Sequence, residues 1–151
     1  RTPKEQKDHG DLVEAVLDNF ELEDNDKKDL QRMVKDSRPP KEIADLAKGR
    51  LQTAEKAAEA IRDEGTREDV KKEFEKARSR SNKQLSTLEE TLSKKMGDPK
   101  RARAVRDFLE SSIMFKYVRD EVAREKRNKV KENFSKKKAL QKRLAALIFA
   151  R

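Results

Sequence analysis

The sequence predicts an all-α protein, an elongated bundle of four to six helices built around a long antiparallel helical hairpin (about 66–96 and 99–134). Charged residues make up 46% of the 151 residues, against about 25% in an average domain, and opposite charges recur at helical spacing. Four glycines and four prolines leave room for long uninterrupted helices. Hydrophobic residues reach 33%, enough for narrow stripes rather than a wide core. We expect a single helical domain over 1–151.

The first third should contain shorter helices. Residues 1–8 are polar and are predicted to be flexible. A helix over 11–20 and a second over 27–36 follow from apolar residues at steps of three and four, and Asp24-Asn25-Asp26 offers a cap between them. Pro40 is suited to open a third helix, which Gly65 ends. The region 11–65 is therefore expected to pack on the hairpin near one end.

The fourth helix has the clearest pattern. Its apolar and small residues follow one another at steps of three and four, namely Val70, Phe74, Ala77, Ser81, Leu85, Leu88, Leu92 and Met96. Gly97-Asp98-Pro99 then ends this helix, caps the next one and opens it. Such a short connection favours antiparallel neighbours.

The fifth helix changes along its length. Over 105–118 apolar residues cover more than one face, which indicates either the middle of the core or a contact with another chain. Ser135 could cap a restart, so 135–151 is predicted to be a separate basic amphipathic helix. Its apolar side, Leu140, Leu144, Leu147 and Ile148, should fold back onto the bundle; the alternative is that it lies on a partner or a surface.

The net charge of +9 is concentrated in the last third. Residues 1–99 hold 22 basic and 24 acidic residues, whereas 100–151 hold 17 basic and 6 acidic residues, a net charge of +11. This distribution is typical of a polyanion-binding surface. It is also typical of an exposed helix that lysine and arginine keep in solution, with local pairs such as Asp120 and Arg124.

No catalytic constellation is apparent. The chain has no cysteine and one histidine, His9, so metal sites built on these residues and triads with a general-base histidine are not expected. Asp24-Asn25-Asp26 does not open a calcium loop, because Asp29 and Lys35 occupy the positions that require Gly and Glu. The glycines are isolated, so no phosphate-binding loop is expected. We predict a protein that is not an enzyme and that uses no metal or cofactor.

The first functional hypothesis is an interaction or scaffold protein that binds another protein or a second copy through its apolar stripes. The predicted interface residues are Leu85, Leu88, Leu92, Val105, Phe108, Leu109, Ile113, Phe115 and Tyr117. The alternative is nucleic-acid binding by Arg124, Lys126, Arg127, Lys129, Lys131, Lys136, Lys137 and Lys138. Attachment to a membrane surface ranks third. An intracellular location is favoured, because no signal peptide or transmembrane segment is seen, although the chain begins with Arg1 and looks truncated.

Overall fold

The computed structural model describes residues 2–20 and 22–149, with Phe149 described by its backbone alone. The predicted all-α class is confirmed: within the described residues there are five helices and no strand. The helices are α1 (Pro3–Leu17), α2 (Asp24–Lys35), α3 (Pro40–Glu59), α4 (Glu64–Met96) and α5 (Pro99–Phe149).

The body of the protein consists of α3, α4 and the first half of α5, which packs chiefly against α3 and α4. Contacts between α4 and α5 run in opposite directions along the two helices: Arg78 meets Glu110, Asn82 meets Arg106 and Glu89 meets Arg103. The pair is therefore antiparallel. In contrast, α3 runs parallel to α5, since residues near Pro40 lie beside Pro99 and residues near Ala57 lie beside Val122.

Two hydrophobic clusters stabilise the body. The larger joins all five helical regions near the α4–α5 connection and includes Leu17, Leu30, Ile43, Leu92 and Phe108. The smaller joins the other end of α3, α4 and α5 and consists of Ala54, Ala58, Ile61, Val70, Phe74, Met114 and Val118. Because α1 and α2 contribute to the larger cluster alone, the far end of the body is a three-helix structure.

Several helix ends differ from the predicted ones. The segment 3–8, predicted to be flexible, belongs to α1, because Thr2 Oγ1 accepts a hydrogen bond from the Glu5 amide (3.2 Å) and Pro3 occupies the first turn. α3 ends at Glu59, before Gly65, which lies in the first turn of α4. Asp63 caps α4 by accepting from the Thr66 amide (2.9 Å) and hydroxyl (2.7 Å).

The predicted stop and restart after α4 is confirmed. Gly97 has φ 62°, the left-handed conformation that a C-terminal glycine adopts without strain. Asp98 Oδ1 then accepts from the Arg101 amide at 3.0 Å, and Pro99 is the first residue of α5.

α5 is one helix of 51 residues without a break at Ser135, so the predicted separate helix over 135–151 is wrong in its start. At 1.5 Å per residue α5 is roughly 76 Å long. Every side chain over 126–148 is exposed. We call residues 126–149 the arm, the end of α5 whose described side chains are exposed; its first residues, as far as Glu132, still line cavities beside the ends of α3 and α4.

Candidate interaction surfaces

Most of the predicted protein interface is covered by the chain itself. Six of the nine predicted residues belong to the larger hydrophobic cluster and are at most 8% exposed: Leu85, Leu88, Leu92, Val105, Phe108 and Leu109. The stripes on α4 and α5 pack against each other and against α1, α2 and α3. As folded, these six side chains offer no surface to a partner, and their assignment as an interface is corrected to core.

The other three predicted residues are half-buried. Ile113 packs against both hydrophobic clusters. Tyr117 lines a cleft between α4 and α5, whereas Phe115 lines a groove between α3 and α5. Of the nine predicted interface residues, Phe115 is therefore the one that lines an open apolar groove.

The groove between α3 and α5 consists of two neighbouring cavities of about 320 and 480 Å³ that share Ala57, Val122 and Lys126. Its walls are mainly apolar: Ala54, Ala57, Ala60 and Ile61 from the α3 side, and Phe115, Val118, Val122 and Ala123 from α5. Because alanine side chains are short, they fill little of the space beside α5, and an open channel remains on the surface between the two helices. We call this channel the α3–α5 groove.

Basic side chains surround the α3–α5 groove: Arg62, Arg119, Lys126 and Lys129, with Glu125 as the acidic residue among them. Arg119 forms an ion pair with Glu23. The same guanidinium donates the hydrogen bond that holds the pKa of Glu23 below its ordinary value, an effect that desolvation opposes. Within the part of the chain that the structure describes, Arg62 and Lys126 form no ion pair.

A polar layer separates the two hydrophobic clusters. Glu110, with 7% of its side chain exposed, forms an ion pair with Arg106 at 2.9 Å and accepts a hydrogen bond from Arg78 Nε at 3.2 Å. Arg106 also donates to Asn82 Oδ1 at 2.9 Å. The charged groups of this layer join α4 to α5 through the contacts of Arg78 with Glu110 and of Arg106 with Asn82.

Arg50 forms a second polar contact at the edge of the body. Its guanidinium lies 2.7 Å from an Asp26 carboxylate oxygen and about equally far from two rings, 5.4 Å from the centroid of Phe108 and 5.5 Å from that of Phe115. A cation above aromatic faces is stabilised by the ring quadrupoles. Arg50 therefore links α2 to α5 and holds Phe115 at the end of the α3–α5 groove.

On the other side of α5, an open cleft of about 450 Å³ lies between α4 and α5 and has a mainly acidic lining that includes Asp63, Asp69, Glu73 and Glu121. Burial, with Glu121 and Glu73 nearby, raises the pKa of Tyr117 above its ordinary value. Among the residues described, no group of three or more histidine, aspartate and glutamate side chains could hold a metal ion.

The arm carries most of the exposed apolar surface. Seven large hydrophobic residues are exposed in the described chain, and six of them lie on the arm: Val130, Phe134, Leu140, Leu144, Leu147 and Ile148. The prediction that Leu140–Ile148 folds back onto the bundle is wrong. α5 continues straight on from the body, and an unbroken helix cannot turn back on itself.

The eight residues predicted to bind nucleic acid are all exposed on α5. At about 100° per residue they spread over about 240° of the helix circumference rather than along one narrow face. Arg124 lies 3.8 Å from Glu121, and Lys136 lies 3.1 Å from Glu132, so part of their charge is neutralised locally. The structure thus brings these residues together along one helix without forming a single basic face from them.

Comparisons with protein-family models, with curated proteins and with solved structures found no match to this chain. Among the described residues, no helix combines the length and the apolar character that crossing a membrane requires. The surfaces described above therefore have to be interpreted from their own chemistry.

Proposed function

We propose that the protein is a non-enzymatic helical adaptor that binds an amphipathic helix of another protein in the α3–α5 groove. The observation that supports this most directly is the groove itself, where the half-buried side chains of Ala57, Phe115 and Val122 leave an apolar surface open to solvent. A groove between two helices, with aromatic and branched residues on one side, suits a third helix that inserts its own apolar side chains.

The size of the groove fits a short helix. On the α5 side it extends over 115–129, which is about 21 Å at 1.5 Å per residue. An incoming helix of about four turns would cover it, with apolar anchors at steps of three and four.

The charge around the groove indicates the chemistry of the partner. Lys126 and Arg62 form no ion pair in the described chain, so acidic residues on the borders of the incoming helix would meet unpaired cations. A second copy of this chain is a poorer occupant, because its exposed apolar segment, the arm, is itself basic.

The proposal can be tested with a synthetic helical peptide that has leucine at steps of three and four and glutamate at its other positions. Ala57→Phe should fill the groove and weaken binding about ten-fold or more, a change of about 1.4 kcal/mol. Gln52→Phe is the matched control, because it adds the same ring to an exposed position of α3 outside the groove. Fluorescence anisotropy of the labelled peptide measures both.

Two results would contradict the proposal: equal binding of a peptide with lysine in place of glutamate, or equal affinities of the Ala57→Phe and Gln52→Phe proteins. Lys126→Glu should also weaken binding, while Lys56→Glu, on an exposed part of α3 away from the groove, should not. Sedimentation at several concentrations identifies a second copy instead, if the protein dimerises and Ala57→Phe abolishes the dimer.

A further inference from the structure

The end of the arm has an apolar row that nothing in the described chain covers. Leu140, Leu144, Leu147 and Ile148 are 56%, 50%, 77% and 70% exposed. Their spacing places them within an arc of about 100° on one side of α5. A row of four large aliphatic side chains on a helix that leaves the body is an unpartnered face.

The charge of the same segment is entirely of one sign. Residues 133–149 contain five cations, Lys136, Lys137, Lys138, Lys142 and Arg143, and no acidic residue. Lys136 pairs with Glu132, whereas the other four form no ion pair in the described chain. Lys138 and Lys142 lie on the side opposite the apolar row, and Lys136 and Arg143 lie along one of its borders. Lys137 lies on the same side as the row, at the end nearer the body, where its long side chain can extend to the headgroups.

We infer that residues 136–149 are a second binding element, which lies flat on an anionic lipid bilayer. The aliphatic row enters the boundary between headgroups and acyl chains, while the lysine and arginine side chains extend back to the anionic headgroups. This inference concerns a different surface from the α3–α5 groove and does not depend on the adaptor proposal.

An anionic lipid surface would bind both the aliphatic row and the cations of this segment. Nucleic acid or a second arm would match only one of the two. Nucleic-acid phosphates would match the cations but leave the four aliphatic side chains in water. A second arm would cover the aliphatic row but bring five further cations beside the first five. A bilayer with anionic headgroups takes up the apolar row and neutralises the cations at once.

The position of the segment allows this orientation. Beyond Glu132, which still lines the cleft between α4 and α5, α5 continues for seventeen residues to Phe149, or about 26 Å. The body therefore does not obstruct the aliphatic row when the end of the arm lies on a flat surface.

The test uses the full chain and co-sedimentation with two kinds of vesicle. One is phosphatidylcholine alone, and the other contains roughly a quarter phosphatidylserine. Leu144→Asp places a charge in the aliphatic row. Ala139→Asp makes the same change in net charge about 140° away on the exposed helix and is the matched control.

The expected result is binding to the anionic vesicles and not to the neutral ones, reduced about ten-fold or more by Leu144→Asp and clearly less by Ala139→Asp. Lys138→Gln and Lys142→Gln should each weaken binding about five-fold. Circular dichroism of both aspartate variants verifies that the helix is retained.

Failure to bind the anionic vesicles, equal binding to both vesicles, or equal effects of the two aspartate variants would each overturn the inference. Binding to duplex DNA with no binding to anionic vesicles would also overturn it and assign the cations to nucleic acid. As an independent readout, Leu147→Trp should show a blue-shifted emission with anionic vesicles, since the native chain has no tryptophan. An unshifted emission would oppose insertion of the row.

Discussion

The two halves of α5 share one helical backbone and have opposite surroundings. In the body, Phe108 is fully buried between α3, α4 and the N-terminal helices, whereas Phe134 on the arm is 64% exposed. Both residues belong to apolar patterns at helical spacing. An apolar pattern at helical spacing therefore predicts a face that another surface can bury. Only the fold shows whether that surface belongs to the same chain.

The largest expected difference in the free energy of unfolding is between alanine variants at these two phenylalanines. Phe108→Ala should lower the free energy of unfolding by about 4 kcal/mol, because it removes a fully buried ring and leaves a cavity. Phe134→Ala should change it by less than about 0.5 kcal/mol. Urea unfolding followed by circular dichroism measures both, and a large effect at Phe134 would show that the arm packs on the body.

A second pair compares two glutamates of the same helix. Glu110→Ala should cost about 2 kcal/mol, since Arg106, with 10% of its side chain exposed, loses one of its two carboxylate partners and keeps Asp107. Glu132→Ala removes a pair with Lys136 in which both side chains are largely exposed and should cost less than about 0.5 kcal/mol. Similar costs at the two sites would mean that the polar layer is solvated in solution.

Acid should weaken the body through two surface carboxylates. The hydrogen bond from Arg119 lowers the pKa of Glu23 from its ordinary value of 4.5, and the hydroxyl and amide of Thr66 lower that of Asp63 from 3.8. A carboxyl group with a lowered pKa stabilises the folded state above its ordinary pKa. That stabilisation is lost as the pH falls through the lowered value.

Glu23→Gln and Asp63→Asn should therefore each flatten the loss of stability below about pH 4.5. Urea midpoints measured across the acid range give the curves for the native chain and both variants. NMR titration of the two carboxyl groups checks the direction independently, and midpoints at or above the ordinary values would contradict the assigned hydrogen bonds.

The smallest expected effect belongs to the arm as a whole. A chain that ends at Lys129 should unfold with a free energy within about 0.5 kcal/mol of the full chain, because the side chains it loses contact little of the body. Its helical signal should nevertheless fall. A truncated chain that unfolds much more easily would show that the arm stabilises the body after all.

Much of the fold could be predicted because its signals are local. Glycine and proline set the connection at Gly97 and the start of α3 at Pro40, and apolar spacing located the buried stripes. Thr2 and Glu5 form a capping sequence, a local signal for the early start of α1 that the prediction of a flexible segment over 1–8 missed. The restart at Ser135 was wrong, since the residues after it favour helix and a single serine does not interrupt one.

The candidate surfaces were harder to predict because they depend on distant residues. The alanines of α3 are visible in the sequence, but the groove arises from the parallel packing of α3 on α5. Arg106 and Glu110, four residues apart, were a visible signal for the polar layer. Their partners Asn82 and Arg78 lie 24 and 32 residues away, which one sequence cannot indicate.

The unbroken course of α5 has a geometric consequence. Groove and arm tip share one axis, so the angle between them is fixed by the number of residues that separate them. Inserting two alanines into the exposed stretch after Lys131 would rotate the tip by about 200° and advance it by about 3 Å, leaving each surface intact. The insertion would change the angle between the side of the protein that lies on a bilayer and the side that binds a partner helix.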